Sequence, residues 1–418
     1  MALRSFSHSS AVALALWLLP PSVDAKVGSY WQPLPPLPTP RQEVGVAAEG
    51  ILVYVIGGIL GDLSATGIVE RFDTVERKWE SASPLPEGAR IHHIGAASSQ
   101  GLVFAIGGLD ESFRGVKSVY AYDPARSAWK PRAELPRARG AMAVAAIEDK
   151  IYAAGGQDGD RSFDDFTVYH VLDDHWEPMP PMPTARNHLA GVSFEGVFYA
   201  VGGRAGQLFD KLEAFDTASK RWVELASMPT ARGGIAAAVA RDCIFVFGGE
   251  GNVTDPSGVF HEVEGYDICR NVWVCDLEMP NPRHGIGAAV VGDFIFIPGG
   301  SPVEGFGVTD TSDAYYPGSG GGAGFIRGDS NLDGQIDISD ALFTLSVLFL
   351  GGKALGCKDA ADTNDSGVID LSDAVFGLVY LFLGGRAPPS PGPDFPGIDP
   401  TEDLLDCAGQ PEPVCFEL

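Results

Sequence analysis

Six times along the chain a short apolar run ends in a double glycine. Val53–Ile56 precedes Gly57-Gly58, Val103–Ile106 precedes Gly107-Gly108, and Ile151–Ala154 precedes Gly155-Gly156. Phe198–Val201 precedes Gly202-Gly203, Ile244–Phe247 precedes Gly248-Gly249, and Phe294–Pro298 precedes Gly299-Gly300. The first glycines stand 50, 48, 47, 46 and 51 residues apart. A period near 50 built from short strands predicts the blades of a β-propeller. Gly makes up 53 of 418 residues, nearly double the usual share of about 7%, which suits many tight turns. Each unit continues with a strand such as Val69–Asp73 or Val119–Asp123, and a tryptophan follows about six residues on: Trp79, Trp129, Trp176, Trp222 and Trp273. The last unit ends at Ala314-Tyr315-Tyr316 without one, and Trp31 lies 48 residues before Trp79. The N-terminal strand carrying Trp31 is therefore expected to complete the sixth blade, closing the ring and removing an open edge.

These features, with a Pro-x-x-Arg start to the units and an aromatic–Asp pair in the second strand, resemble the kelch repeat over Tyr30 to Pro317. The resemblance implies a six-bladed kelch propeller in which glycines and tryptophans are scaffold. It also implies a ligand-binding mouth at the central channel, which in some kelch domains takes acidic peptides or sugars. One arginine begins each unit: Arg41, Arg90, Arg139, Arg186, Arg232 and Arg283. Symmetry predicts a ring of guanidinium groups. They would either pair with carboxylates and cap carbonyls inside the blades or form an anion-accepting mouth, since the arginine fork binds carboxylates bidentately. His92, His93, His188 and His284 fall beside this ring. They are read as packing or ligand-bonding groups, and a metal is set aside because no carboxylate or cysteine is seen in their register. Copper oxidation of the kind found in some propeller enzymes is disfavoured, as no crosslinkable Tyr–Cys set with two histidines stands out. A sialic-acid mutarotase needs little beyond an arginine and an acid/base.

Beyond a glycine-rich linker (318–324) the pattern changes. Two segments repeat at an offset of 33: Asp329, Asn331, Asp333, Gln335, Asp337 and Asp340, then Asp362, Asn364, Ser366, Val368, Asp370 and Asp373. Side-chain oxygens fall at positions 1, 3, 5, 9 and 12 of each loop, with a backbone carbonyl at position 7 and glycine at position 6. This is the pattern of an EF-hand-type calcium loop, so two Ca²⁺ ions are expected. Each loop runs into an apolar helix, Ala341–Leu350 or Ala374–Leu383, which ends at a double glycine. The two helices should bury against each other, with calcium driving the fold. The duplicated unit resembles a type I dockerin over 325–387, which implies a cohesin-like or cell-surface protein partner, in some systems for polysaccharide breakdown. The basic pair common on dockerin helices is replaced here by residues such as Leu345 and Ser346.

The remaining signals concern location and partners. Arg4, an apolar run Ala11–Leu19 and Val23-Asp24-Ala25 resemble a signal peptide cleaved after Ala25. Export to the medium or cell surface follows as an expectation, with disulfides permitted among the six cysteines. No later run is long enough to span a bilayer. A net charge of −26 argues against nucleic acid. The organisation expected is a leader (1–25), an all-β six-bladed kelch propeller (26–317), the linker, a small, mainly α, calcium-binding dockerin-like domain (325–387) and a Pro-rich, Cys-containing tail (388–418). The function expected is binding and scaffolding, leaning away from catalysis: the propeller takes a protein or glycan, an anionic one if the arginines face it, and the second module tethers it. The alternatives are a carbohydrate-active propeller enzyme, sialic-acid mutarotase-like, and a structural surface protein.

Overall fold

A computed structural model describes residues 29–275, 278–317, 325–333, 335–352, 355–389, 391–392 and 405. The expected leader and its cleavage site at Ala25, the glycine linker, Gly334 and most of the tail lie outside the described residues.

Six four-stranded antiparallel sheets follow one another in register with the sequence repeat. Blades 1 to 5 occupy Gly45–Ser81, Gly95–Pro131, Ala143–Pro178, Ala190–Glu224 and Ala236–Cys275. Blade 6 combines Ala289–Val291, Phe294–Pro298 and Ser312–Tyr316 with the N-terminal strand Tyr30–Pro33, whose Trp31 lies opposite Tyr315. The expected closure is thus present. The Trp31 ring lies 4.9 Å from that of Tyr315 and 5.8 Å from that of Phe247 in blade 5.

The repeated residues each have a task in this scaffold. The run before each double glycine is the second strand of its blade, and Val53–Ile56 and its equivalents are buried. The tryptophan of one blade reaches back to its predecessor: Trp79 Nε1 donates to Pro35 O at 2.9 Å, Trp129 Nε1 to Ser83 O at 2.8 Å, and Trp273 Nε1 to Ala226 O at 2.7 Å. The aspartate of the aromatic–Asp pair caps the next turn, as where Asp73 Oδ1 accepts from the Val75 and Glu76 amides. Each double glycine turns with both φ values positive, near 60° and then near 110°. The second one cannot be anything larger, because a Cβ on Gly58 would stand 2.6 Å from Gln42 O.

In the C-terminal module, helices α1 (Ile338–Leu350), α2 (Lys358–Ala361) and α3 (Leu371–Leu383) are formed. The two long helices begin three residues earlier than expected. Asp337 and Asp370 act as N-caps, and Asp340 and Asp373 close capping boxes from inside the first turn. Gly351 and Gly384 stop them in the left-handed conformation, as expected. α1 and α3 pack together, but the expected mutual burial is only partial. Leu342, Phe349 and Leu350, and their repeats Val375, Phe382 and Leu383, are 48–81% exposed. No described helix is long and apolar enough to cross a membrane.

Candidate functional site

The arginines do not line the channel mouth. Arg41, Arg139, Arg186, Arg232 and Arg283 are at most 1% exposed and are consumed within their own blades. Arg41 donates from Nε to Gly57 O, from Nη1 to Thr39 O and the Glu70 carboxylate, and from Nη2 to Val55 O. Arg186 repeats this with Gly202, Thr184, Glu213 and Ala200, and Arg283 with Gly299, Asn281, Asp313 and Ile297. Arg232 faces Glu264 at 3.1 Å, and Arg139 donates to Ala153 O and Thr167 Oγ1. The fork ties down carbonyls left by the glycine turn, a scaffold task, so these five cannot form an anion-accepting ring. Arg90 is not their equivalent. The second glycine of each blade donates to the in-register residue of the next, and in blade 2 that residue is Ile91 (Gly58 N to Ile91 O, 3.0 Å). Arg90 points outward, 69% exposed, 3.8 Å from Glu111. The signal was in the spacing: with Ile91 the intervals become 50, 48, 47, 46 and 51, those of the double glycines.

Two residues beyond each register position lies what does meet at the axis. Glu43, His93, Ala141, His188, Gly234 and Gly285 form a closed ring of six backbone hydrogen bonds. Glu43 N donates to Gly285 O, His93 N to Glu43 O, Ala141 N to His93 O, His188 N to Ala141 O, Gly234 N to His188 O and Gly285 N to Gly234 O, at 2.7–3.0 Å. All six have φ between 52° and 69°. Four are not glycine, so the ring holds side chains in a conformation they would otherwise avoid. Ala141, between the two histidines, leaves the space across which His93 Nε2 and His188 Nε2 approach to 3.0 Å. Gly285 leaves room for Glu43, whose Oε1 would stand 2.8 Å from a Cβ there.

Glu43, His93 and His188 line a cavity of about 320 Å³ with Arg204, Glu250, Glu304, Gln42, Gln157, Phe113 and Phe306. Glu43 Oε2 is 3.2 Å from His93 Nε2. Arg204 bonds Glu250 through Nη1 and His188 Nε2 through Nη2, the latter at 2.8 Å. His284 Nδ1 faces Glu250 at 3.5 Å and Glu43 at 3.8 Å. Phe113 and Phe306, 36% and 56% exposed, stand edge to face at the rim. Burial, reinforced by Glu250 and opposed by Arg204, pushes Glu43 up to about 8. Burial lowers His92 to about 4 and takes His93 and His188 well below the usual imidazole value. The mouth is therefore rich in acceptors. Arg204, its one cationic lining residue among those described, is already paired, which disfavours a strongly anionic ligand.

The four histidines were legible in the sequence, but the reason for setting a metal aside fails. Glu43 occupies the same register as His93 and His188 because it follows Arg41 by two, as His188 follows Arg186 and His93 follows Ile91. Arg204 and Glu250, which were missed, each directly follow a double glycine.

In the C-terminal module the twelve expected ligand residues are brought into two equivalent loops. Asp329, Asp340, Asp362 and Asp373 are 0–4% exposed. Asp340 accepts from the Asn331 and Asp337 amides, and Asp373 from those of Asn364 and Asp370. Asp329 accepts from Asp333 N, and Asp362 from Ser366 N, both at 3.0 Å. Gln335 and Val368 are exposed at the loop tips. Burial pushes Asp340 up to about 6 and Asp373 to about 7. Cys269 and Cys357 are disulfide-bonded.

Comparison with known proteins agrees with the fold. Residues 43–249 match the KLHDC2/KLHL20/DRC7 Kelch-repeats domain. The chain is 31% identical over 299 residues to the Kelch-like protein terF of Aspergillus terreus, covering 66% of this chain and 65% of that protein's length. It is similar to the solved structure described as "Structure of YjhT", with a TM-score of 0.57 at 17% identity, covering 66% of this chain and 95% of that one. With the repeat, the closure and the ring described above, residues 30–316 fold as a six-bladed β-propeller of kelch repeats.

Proposed function

We propose that the chain is an exported binding and scaffolding protein whose propeller takes a protein partner at the axial mouth. The observation that carries this reading is the convergence of non-repeated residues, Glu43, His93, His188, Arg204 and Glu250, beneath the exposed aromatic rim of Phe113 and Phe306. Exposed aromatic side chains over a polar floor are the composition of a recognition hot spot. Peptide and glycan arrays probed with the full chain test it. A set of peptides should bind, and Phe113→Ala and Phe306→Ala, both at exposed positions, should abolish that binding while leaving the fold intact. Binding of glycans alone, or binding indifferent to both substitutions, would refute the choice of partner or of mouth.

The C-terminal module is proposed to fold around two Ca²⁺ ions and to tether the propeller, as a dockerin-like unit does, to a cohesin-like or cell-surface protein. The residues fit such an ion. Asn364 Oδ1 is a buried acceptor without a hydrogen-bond partner, and four buried carboxylates lie in the two loops. Bound Ca²⁺ would neutralise them and pin each loop to the first turn of its helix through Asp340 or Asp373. The duplicated apolar residues left exposed on α1 and α3 supply the docking face. Disulfides at Cys269 and Cys357 accord with export. Titration of Ca²⁺ into the chelated chain, followed by helical circular dichroism, tests the fold, and an unchanged spectrum sinks it.

A further inference from the structure

The tautomers of the axial histidines can be assigned from their partners. His92 Nε2 lies 3.0 Å from Asp110 O, an acceptor, so that nitrogen carries the proton. His92 Nδ1 is then a lone pair, and it is bonded by His93 Nδ1, which must donate. His93 Nε2 is left as a lone pair directed into the cavity. On the other side, His188 Nδ1 lies 2.5 Å from Asn187 Oδ1 and so donates, leaving His188 Nε2 as a second lone pair. These two lone pairs face each other at 3.0 Å, with Glu43 Oε2 3.2 Å from the first. Three ligand atoms thus converge, and Arg204 Nη2 donates to one of them, His188 Nε2, at 2.8 Å.

We infer that the axial mouth is a site for a divalent first-row transition-metal ion of the zinc or ferrous-iron class, held by His93 Nε2, His188 Nε2 and a Glu43 carboxylate oxygen. The three ligand atoms lie within 4.8 Å of one another. Metal–nitrogen bonds of about 2.0–2.1 Å place ligand atoms roughly 2.9–3.4 Å apart at right-angled or tetrahedral geometry, and the two spacings from His93 Nε2, 3.0 Å to His188 and 3.2 Å to Glu43, fall in that range. Two imidazoles and a carboxylate with the remaining positions open suit zinc or non-haem iron rather than calcium. Each histidine is oriented from behind: the Asp110 carbonyl acts through His92 on one, and Asn187 acts on the other, itself donating to Ser162 Oγ at 2.7 Å.

A separate observation points the same way. His284 is 1% exposed, its Nε2 lies 2.9 Å from Val303 O and donates there, and its Nδ1 has no hydrogen-bond partner. That lone pair faces the carboxylates of Glu250 and Glu43. Acceptors from blades 1, 2, 4, 5 and 6 thus crowd the axis, while the guanidinium of Arg204, 36% exposed at its side chain, stands in for a cation at His188 and is the group an ion would displace. The inference shares the mouth with the partner-binding reading and does not need it. Metal can bind where no partner does, and peptide binding unaffected by metal leaves only that reading standing.

The test uses the full chain, stripped of metal and returned to saturating Ca²⁺, so that oxygen-rich sites are filled, and then titrated with Co²⁺. One equivalent should bind and give the visible absorption of a low-coordinate nitrogen/oxygen site without thiolate charge transfer. His188→Ala should weaken binding at least about 100-fold. Asn187→Ala, which only orients His188, should weaken it about 10- to 100-fold. Arg204→Ala should tighten it, which a purely structural arginine would not do. Tryptophan fluorescence verifies folding, and if His188→Ala fails to fold, the near-isosteric Glu43→Gln takes its place. Absence of the band in the unaltered chain, or a band of equal affinity in the ligand variants, overturns the inference.

Discussion

Glu213→Gln isolates what the buried arginines do. In blade 4 the Arg186 guanidinium and the Glu213 carboxylate are both fully buried and 2.5 Å apart. The substitution preserves shape and leaves the arginine its bonds to Gly202 O, Thr184 O and Ala200 O, but removes the counter-charge. Breaking a buried pair in this way costs about 3–5 kcal/mol. The molecule supplies its own comparison. Arg139 has Thr167 where Arg186 has Glu213, and burial lowers it to about 10. Arg186→Met alone strands the carboxylate with the Thr184 hydroxyl and should cost as much. The double variant should cost clearly less than the sum, because no lone charge remains. Urea unfolding followed by tryptophan fluorescence reads this directly, since Trp31, Trp79, Trp129, Trp176, Trp222 and Trp273 all lie on blade strands. A cost below about 1 kcal/mol for Glu213→Gln, or singles that simply add, would refute the counter-charge argument and leave only carbonyl capping.

Three further outcomes are expected. A chain starting at Thr39 loses the strand that pairs Trp31 with Tyr315, so its propeller should unfold at markedly lower urea; an unchanged midpoint would show that closure is dispensable. Gly285→Ala should cost about 1–2 kcal/mol for a left-handed alanine and, by pressing on Glu43 Oε1, should weaken Co²⁺ binding as well; unchanged stability and binding would show that this glycine is not making room. Asp340→Ala should remove one Ca²⁺ equivalent and the helicity that follows it, and loop one, with four carboxylates against three in loop two, should fill first; calorimetry showing tighter binding at loop two would contradict the charge argument.

The fold was legible because repetition averages out local ambiguity. Any one Gly-Gly after an apolar run is weak, but six in step with the tryptophans fixed blade number, register and closure by Trp31. The arginine ring was legible as a ring and misread as to direction. Four of the five buried arginines meet an acid at the second position of the third strand, Glu70, Glu213, Glu264 or Asp313, and Arg139 turns inward on the Thr167 hydroxyl at the same position; these partners too were legible in the repeat. Blade 2, where Ile91 replaces the arginine, has Tyr120 at that position, so the cation and its counter-charge are lost together. The site was harder to read because its residues are not repeated. Glu43, His93 and His188 share one register position with Ala141, Gly234 and Gly285, and nothing in one dimension shows that a backbone ring turns three of those six side chains toward one point.

That arrangement also explains how a rigid ring can carry a specific site. The register position spends its side chain on carbonyls of its own blade, the second glycine ties each blade to the next, and the axial ring closes through backbone atoms alone. None of these bonds constrains the side chain two residues on, beyond requiring that it tolerate positive φ. Glycine satisfies that at least cost, and two of the six positions are glycine. Carrying glutamate or histidine there costs roughly 1 kcal/mol or more each, a strain that packing does not require, since Ala141, Gly234 and Gly285 complete the same ring without such groups. The strained residues are also the ones whose polar atoms face one another at 3.0 and 3.2 Å. The departures from the repeat, rather than the repeat itself, are therefore where binding chemistry is to be sought. Substituting Glu43, His93 and His188 together by glycine should leave the propeller at least as stable while abolishing whatever binds at its axis.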